Sequence, residues 1–145
     1  MQLSWRNTLD GINWQELAEL YRRAPLGSKS AETLQIAFSN SRFTLFLFDG
    51  TQLVGAGRAL SDGIDCSYLC DIALLPEYQG SGLGREIVSR LVALSAGHRK
   101  IILYAVPGKE AFYRRFGFRR MKTAMAIFDD PNSATERGFV EAEEL

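Results

Sequence analysis

The stretch from Phe43 to Leu74 limits the fold more than any other part of the chain. Phe43-Thr44-Leu45-Phe46-Leu47-Phe48 is aromatic and apolar almost throughout, which reads as a buried strand. Asp49-Gly50 follows as a hairpin turn signal. Residues 53–60 form the return strand, and their glycines, Gly55 and Gly57, mark a bulge or a close backbone approach. Ser61-Asp62-Gly63 turns the chain again, and Cys66–Leu74 reads as a third strand. Three such strands joined by tight turns predict an antiparallel meander.

After Leu74 the pattern changes. Pro76 ends the strand, a glycine-rich loop follows, and residues 85–96 take a helical period with Ile87, Val88, Leu91, Val92 and Leu94 on one wide face. Residues 100–106 read as a buried strand, parallel to the third because a helix crosses between them. Residues 109–115 predict a short helix stopped by Gly117, and residues 119–128 a last strand with Ala124, Ala126 and Phe128 alternating. Residues 129–145 read as a polar, acidic tail without an element. Ahead of the meander, residues 3–6 suit an edge strand. Ile12, Leu17, Leu20 and Tyr21 recur as on a helix that Asn13 or Asp10 caps, and Leu34, Ile36, Ala37 and Phe38 as on a second that Ser28 or Ser30 caps. The expected class is α+β: a mixed sheet, a meander turning into a strand–helix–strand unit, with helices on both faces. Its 145 residues suit one domain.

Charge and cysteine content narrow the function. Lys plus Arg and Asp plus Glu both count 17, so no broad basic field exists for nucleic acid. Cys66 and Cys70 fall in one extended stretch, with Cα atoms roughly 13 Å apart, too far for a disulfide. They are expected to be small buried residues in a reducing compartment. With two cysteines and the single His98, a His/Cys metal site is not expected. A Ser-His-Asp triad would need His98, whose Ser, Gly and basic neighbours suggest a helix end instead. No charged-then-apolar leader and no run of eighteen apolar residues is present, so the expectation is a cytoplasmic chain without a membrane partner.

The chemistry concentrates at Gln79-Gly80-Ser81-Gly82-Leu83-Gly84-Arg85, between strand and helix. Closely spaced glycines let backbone N–H groups converge on one point, and the helix that follows adds its positive end. The product is a cradle for a phosphate or pyrophosphate. No Gly-Lys-Ser/Thr closes the loop as in a Walker A motif, and the Gly-x-Gly-x-Gly spacing differs from the Rossmann fingerprint. On the residues alone, a glycine-rich strand-to-helix turn without a ligand stays open.

Some thirty residues later stands Ala111-Phe112-Tyr113-Arg114-Arg115-Phe116-Gly117-Phe118. Together, Gln79-x-x-Gly82-x-Gly84 and this Phe-Tyr-x-x-x-Gly-Phe exit resemble the GCN5-related N-acetyltransferase superfamily, over roughly residues 43–128. The stretch from Val54 to Asp62 is more distantly similar to the branch that includes plastid serotonin acetyltransferases.

The resemblance implies acetyl-CoA as co-substrate and no metal. It implies that Ile72, Ala73 and Leu74 offer main-chain groups to the thioester arm in a gap between the third strand and residues 100–106. One N–H near Leu74 would polarise the acetyl carbonyl. It implies that Gln79, Gly80, Ser81, Gly82, Leu83, Gly84 and Arg85 hold the pyrophosphate, with Ala111 and Tyr113 also at the cofactor. Tyr113 matches the family tyrosine that protonates the departing thiolate; the alternative is a core aromatic beside Phe112 and Phe116. Pro107 stands where many relatives carry an Asn that binds the cofactor. Proline has no side-chain donor, so that interaction is either missing or taken over by Gly108 or Lys109.

The acceptor implied is a primary amine, a small molecule first. A protein or peptide acceptor, or a CoA-binding sensor without turnover, is the rival reading. An amine that attacks must lose a proton, and Asp71, Asp62, Glu77 and Glu110 are the candidate bases. Asp71 comes first, as a carboxylate inside a strand, on the face opposite Ile72 and Leu74. Arg114, Arg115, Arg119, Arg120 and Lys122 form a basic cluster, read as a solvated face opposite the acidic Glu141–Glu144 stretch. The oligomeric state stays open between monomer and homodimer.

Overall fold

Backbone pairing turns the meander into the centre of a mixed sheet. The computed structural model describes residues 1–143. Among them the strands run β1 (Leu3–Arg6), β2 (Phe43–Asp49), β3 (Gln52–Ser61), β4 (Cys66–Leu74) and β5 (Lys100–Ile102), and they lie side by side in chain order. β1 to β4 pair antiparallel; β5 lies parallel to β4. The class is α+β. The helices are α1 (Trp14–Arg23), α2 (Ala31–Ser39), α3 (Leu83–Leu94), α4 (Glu110–Arg114) and α5 (Pro131–Glu136).

The described residues form two compact units, one over Met1–Leu103 and one from Tyr104 onward. The first carries the sheet and α1 to α3. Asn13 caps α1 by accepting from the Gln15 and Glu16 N–H groups, and Ser30 caps α2 by accepting from Thr33 N–H. Each cap stabilises its helix by about 1 kcal/mol.

The sheet has two differently furnished faces. Phe46 of β2 stacks on Phe38 of α2, with ring centroids 5.4 Å apart, and Tyr21 of α1 lies against the same Phe38. Neighbouring positions point the other way. There β3 carries Gly55 and Gly57, where a Cβ would stand 2.9 Å from Ile87 Cδ1 and 2.8 Å from Leu91 Cδ1. The two glycines let α3 approach the sheet closely. Leu17, Leu20, Leu34, Leu47, Val88 and Leu91 are buried between these layers, each contributing about 1.5–3 kcal/mol of transfer free energy.

His98 follows the end of α3. Its Nδ1 lies 2.7 Å from the Ser95 carbonyl, so that nitrogen carries the proton, and its Nε2 accepts from Ser61 Oγ at 2.5 Å. A carbonyl, not a carboxylate, faces Nδ1, so no triad exists at this histidine. Cys66 and Cys70 are free thiols and half-buried rather than fully buried. Burial pushes the Cys70 thiol up to about 11.

The unit from Tyr104 onward departs furthest from expectation. β5 stops at Ile102, short of the strand expected over residues 100–106. No strand forms over residues 119–128; Met125 and Ile127 are fully exposed there. Alternating apolar residues cannot make a strand without a partner to satisfy the backbone. The stretch read as an elementless tail instead contains α5, which begins at Pro131 and is capped by Asp130 accepting from Ser133 N–H. Tyr104, Phe128 and Phe139 pack as an aromatic cluster in this unit. Of the acidic residues 141–144, Glu144 lies outside the described residues.

Candidate functional site

The turn between β4 and α3 is held on several sides and open on one. Leu75 N–H donates to the Val54 carbonyl at 2.8 Å, carrying the sheet one residue past β4. Tyr78 donates from its hydroxyl to Asp49 at 2.7 Å, and Glu77 is ion-paired with Arg23 of α1. Gln79 turns back, its Nε2 donating to the Leu74 carbonyl at 3.1 Å, and Ser81 Oγ donates to the Tyr78 carbonyl. The side chains that could have blocked the turn are thus folded against its base.

Gly80 and Gly82 have φ of +80° and +85°, and nothing lies within 4 Å of where their Cβ atoms would be. Backbone conformation, not crowding, therefore asks for glycine here. Gly82 caps α3 without any side-chain hydrogen bond, and its carbonyl accepts from Glu86 N–H at 3.2 Å. The amides of Leu83, Gly84 and Arg85 lie in the first turn of that helix, where no intrahelical acceptor exists. Gly80, Ser81, Gly82 and Arg85 are exposed. The result is a fixed ring of donors at the positive end of a helix, fit for a diphosphate.

β4 itself changes character halfway. Cys66, Ser67 and Tyr68 pair with β5 on one side, and Ser67 and Tyr68 also pair with β3 on the other. Beyond Tyr68 the β5 pairing ends, while the β3 pairing continues to Leu74, opposite Gly55. Ile72, Ala73 and Leu74 thus lie on an edge that β5 leaves unpaired, leading straight into the glycine turn. Around Asp71 the strand bulges. Asp71 has φ +55°, and the β3–β4 register shifts between Ala56 and Arg58. The bulge resets the alternation: Ser67 reaches the end of α3, and after it Ile72 and Leu74 point to that same face.

Asp71 therefore lies on the face opposite Ile72 and Leu74, as alternation predicts, but its carboxylate is already engaged. Oδ2 accepts from Arg58 Nε at 2.8 Å and Oδ1 faces Lys29 Nζ at 3.6 Å. The other carboxylates have occupations of their own. Asp62 accepts from the N–H groups of Ile64, Asp65 and Cys66, which hold its carboxyl down to about 2. The hydrogen bond from Arg23 lowers Glu77, and Glu110 accepts from Gly108 N–H at 3.1 Å.

Tyr113 belongs to the second unit, on α4, where Ala111 is exposed in the first turn. Its ring contacts Phe112 at 5.1 Å and Phe118 at 6.1 Å, and burial raises its phenol above the ordinary value. At neutral pH it keeps its proton. The N–H groups beside Pro107 are spent internally: Gly108 donates to Glu110, and Lys109 donates to the Val106 carbonyl at 3.0 Å. Arg114, Arg115, Arg119, Arg120 and Lys122 are all exposed.

Sequence reasoning passed over Tyr21, Arg58 and Lys29, which all meet at Asp71. Arg58 carried a signal, being a cation inside an otherwise apolar strand. Tyr21 carried none, since a tyrosine on the apolar face of a helix reads as core.

Known proteins resemble this chain in sequence and in fold. The model of the acetyltransferase (GNAT) family matches residues 13–118. The chain is similar to serotonin N-acetyltransferase 2, chloroplastic, of Oryza sativa subsp. japonica, with 32% identity over 78% of this chain and 60% of that protein. An uncharacterized N-acetyltransferase of Pyropia yezoensis is 30% identical over 74% of this chain and 65% of its own length. The chain thus spans less than two thirds of these curated relatives. A GNAT family acetyltransferase from Streptococcus pneumoniae shares the fold, with TM-score 0.74, 21% identity and coverage of 89% of this chain and all of that one.

Proposed function

This chain belongs to the acetyltransferase (GNAT) family, and from that premise we propose that it moves an acetyl group from acetyl-CoA to a primary amine. The observation that carries the reading is the open turn at Gly80–Arg85, continuous with the unpaired edge of β4. In this reading the amides of residues 80–85 bind the pyrophosphate. The main-chain groups of Ile72, Ala73 and Leu74 hold the thioester arm, and one N–H near Leu74 polarises the acetyl carbonyl. Acetyl-CoA brings the activated acyl group; the chain supplies position, a dipole and a proton donor.

Tyr113 gives its phenolic proton to the thiolate as the carbon–sulfur bond breaks. Burial suits it to this by keeping the phenol neutral. Asp71 is proposed as the carboxylate nearest the reaction, but its two oxygens already face Arg58 and Lys29. A role in holding charge and strand geometry fits it better than that of a free base, and the amine's proton then leaves through water. A small acceptor is favoured because the rice relative is named for serotonin, a small amine.

The second reading is a CoA-binding module without turnover. It draws support from the four candidate base carboxylates, each of which has an internal partner. Acetyl-CoA mixed with a panel of small amines and lysine peptides, with free thiol followed, separates the readings. Thiol release on a small amine supports the proposal, release on peptides alone moves the acceptor class, and binding without release supports the module. Tyr113→Phe should lower kcat by about 100-fold or more, the usual contribution of a positioned acid, with CoA affinity within about threefold.

A further inference from the structure

We propose that Tyr21 is the positioning residue that sets the β4 bulge, and with it the direction of the main-chain groups at Ile72–Leu74. The inference rests on the reading above, in which those groups receive the thioester.

Ala56 pairs with Ala73 and Arg58 with Cys70. One residue of β3, Gly57, therefore faces two of β4, Asp71 and Ile72, which defines a bulge. Asp71 adopts φ +55° and is the non-glycine residue with positive φ among the described residues. Such a conformation persists only where its surroundings hold it. Here the side chain and the main chain are held separately. Arg58 and Lys29 grip the carboxylate, and the Tyr21 hydroxyl donates to the Asp71 carbonyl at 2.6 Å.

The carbonyl contact matters for direction. The peptide joining Asp71 to Ile72 is trans, so its C=O and N–H point opposite ways in one rigid plane. Tyr21 draws the C=O toward α1 and thereby aims the Ile72 N–H away from that face. The same twist returns Ile72 and Leu74 to the α3 face, as an unbulged strand would not. Tyr21 is 0% exposed. Its ring fills core that a phenylalanine would fill equally, leaving the hydroxyl with the one task of holding Asp71. Burial also raises its phenol well above the ordinary value, so the donor never titrates in the working range.

Tyr21→Phe removes that hydroxyl and little else. Two measurements test the role. In the free protein, amide hydrogen exchange at Ala73, which pairs with Ala56 just past the bulge, should accelerate at least about tenfold, while Leu45–Leu47 in β2 stays unchanged. In the enzyme reaction kcat should fall about 100-fold, the scale of a small misplacement or a lost oxyanion donor. CoA affinity by calorimetry should stay within about threefold, since the glycine turn is untouched. Asp71→Asn keeps the carbonyl and a residue that tolerates positive φ, so it should keep slow exchange at Ala73.

Exchange at Ala73 unchanged in Tyr21→Phe, or accelerated equally across β2 and β4, overturns the proposal. So does a kcat within about twofold of wild type. If wild-type protein binds no coenzyme A, the reading of the site falls and the role of Tyr21 toward the thioester falls with it. If wild type binds and turns over but ignores Tyr21→Phe, only Tyr21 is lost.

Discussion

Two turns flank β4, and each gathers backbone N–H groups around a point. In the β3–β4 turn the point is filled from within: Asp62 accepts from three amides, and Ser61 Oγ accepts from Gly63 N–H at 2.8 Å. In the β4–α3 turn no side chain caps the helix, and Gly80 and Gly82 leave the approach bare. One turn closes a hairpin with its own anion. The other leaves its amides uncapped, and in the proposed function an anion from outside fills them. The difference lies in a single residue type, since Ser-Asp-Gly carries its carboxylate and Gly-Ser-Gly-Leu-Gly carries none.

Giving the open turn a carboxylate should erase the contrast. Ser81→Asp is expected to weaken coenzyme A binding by about 100-fold or more, by occupying the amides and repelling phosphate. Calorimetry reads the affinity, and an unchanged Kd would mean the diphosphate sits elsewhere. A smaller change follows from stiffening the turn. Gly82→Ala forces an L-residue into φ +85°, at a cost of about 1–2 kcal/mol. We expect a melting point lower by a few degrees and CoA affinity lower by about tenfold.

The smallest effect belongs to the closed turn. Asp62 has its carboxyl held at about 2, below the ordinary 3.8. Its stabilisation is therefore complete above about pH 4 and lost as pH falls toward 2. Asp62→Ala should lower the melting point at pH 5–7 and converge with wild type as pH drops below 4, with CoA affinity unchanged. A melting difference that is flat with pH would show that the three amides do not hold this charge.

These two turns also mark what the sequence could and could not disclose. The meander was legible because Phe43–Asp49, Gln52–Ser61 and Cys66–Leu74 alternate with turn residues whose chemistry is local. The helix starts were legible for the same reason, though the sequence left Asn13 against Asp10 and Ser30 against Ser28 as the caps, and the structure takes Asn13 and Ser30. The bulge was not, because a positive φ at Asp71 depends on Tyr21, fifty positions away and folded over it. Nor was the absence of a strand over residues 119–128, where Ala124, Ala126 and Phe128 kept the right period but lacked a neighbouring strand. The helix at Pro131 had a readable signal in Asp130-Pro131, a cap residue before a first-turn proline. It was obscured by the polar composition around it. Among the proposed site residues, Gly80, Gly82 and Gly84 stood out through spacing, and the role of Gln79 to Arg85 came with the family resemblance. The engagement of Asp71 by Arg58 and Lys29 required the sheet to bring three distant residues together.

The most direct test of the open turn compares coenzyme A with pantetheine, which lacks the diphosphate and nucleotide, by titration calorimetry on the wild-type chain. The account predicts measurable heat with coenzyme A at micromolar concentrations and affinity for pantetheine weaker by about 100-fold. Equal binding of the two, or no heat and no melting shift with coenzyme A at millimolar concentration, would contradict it.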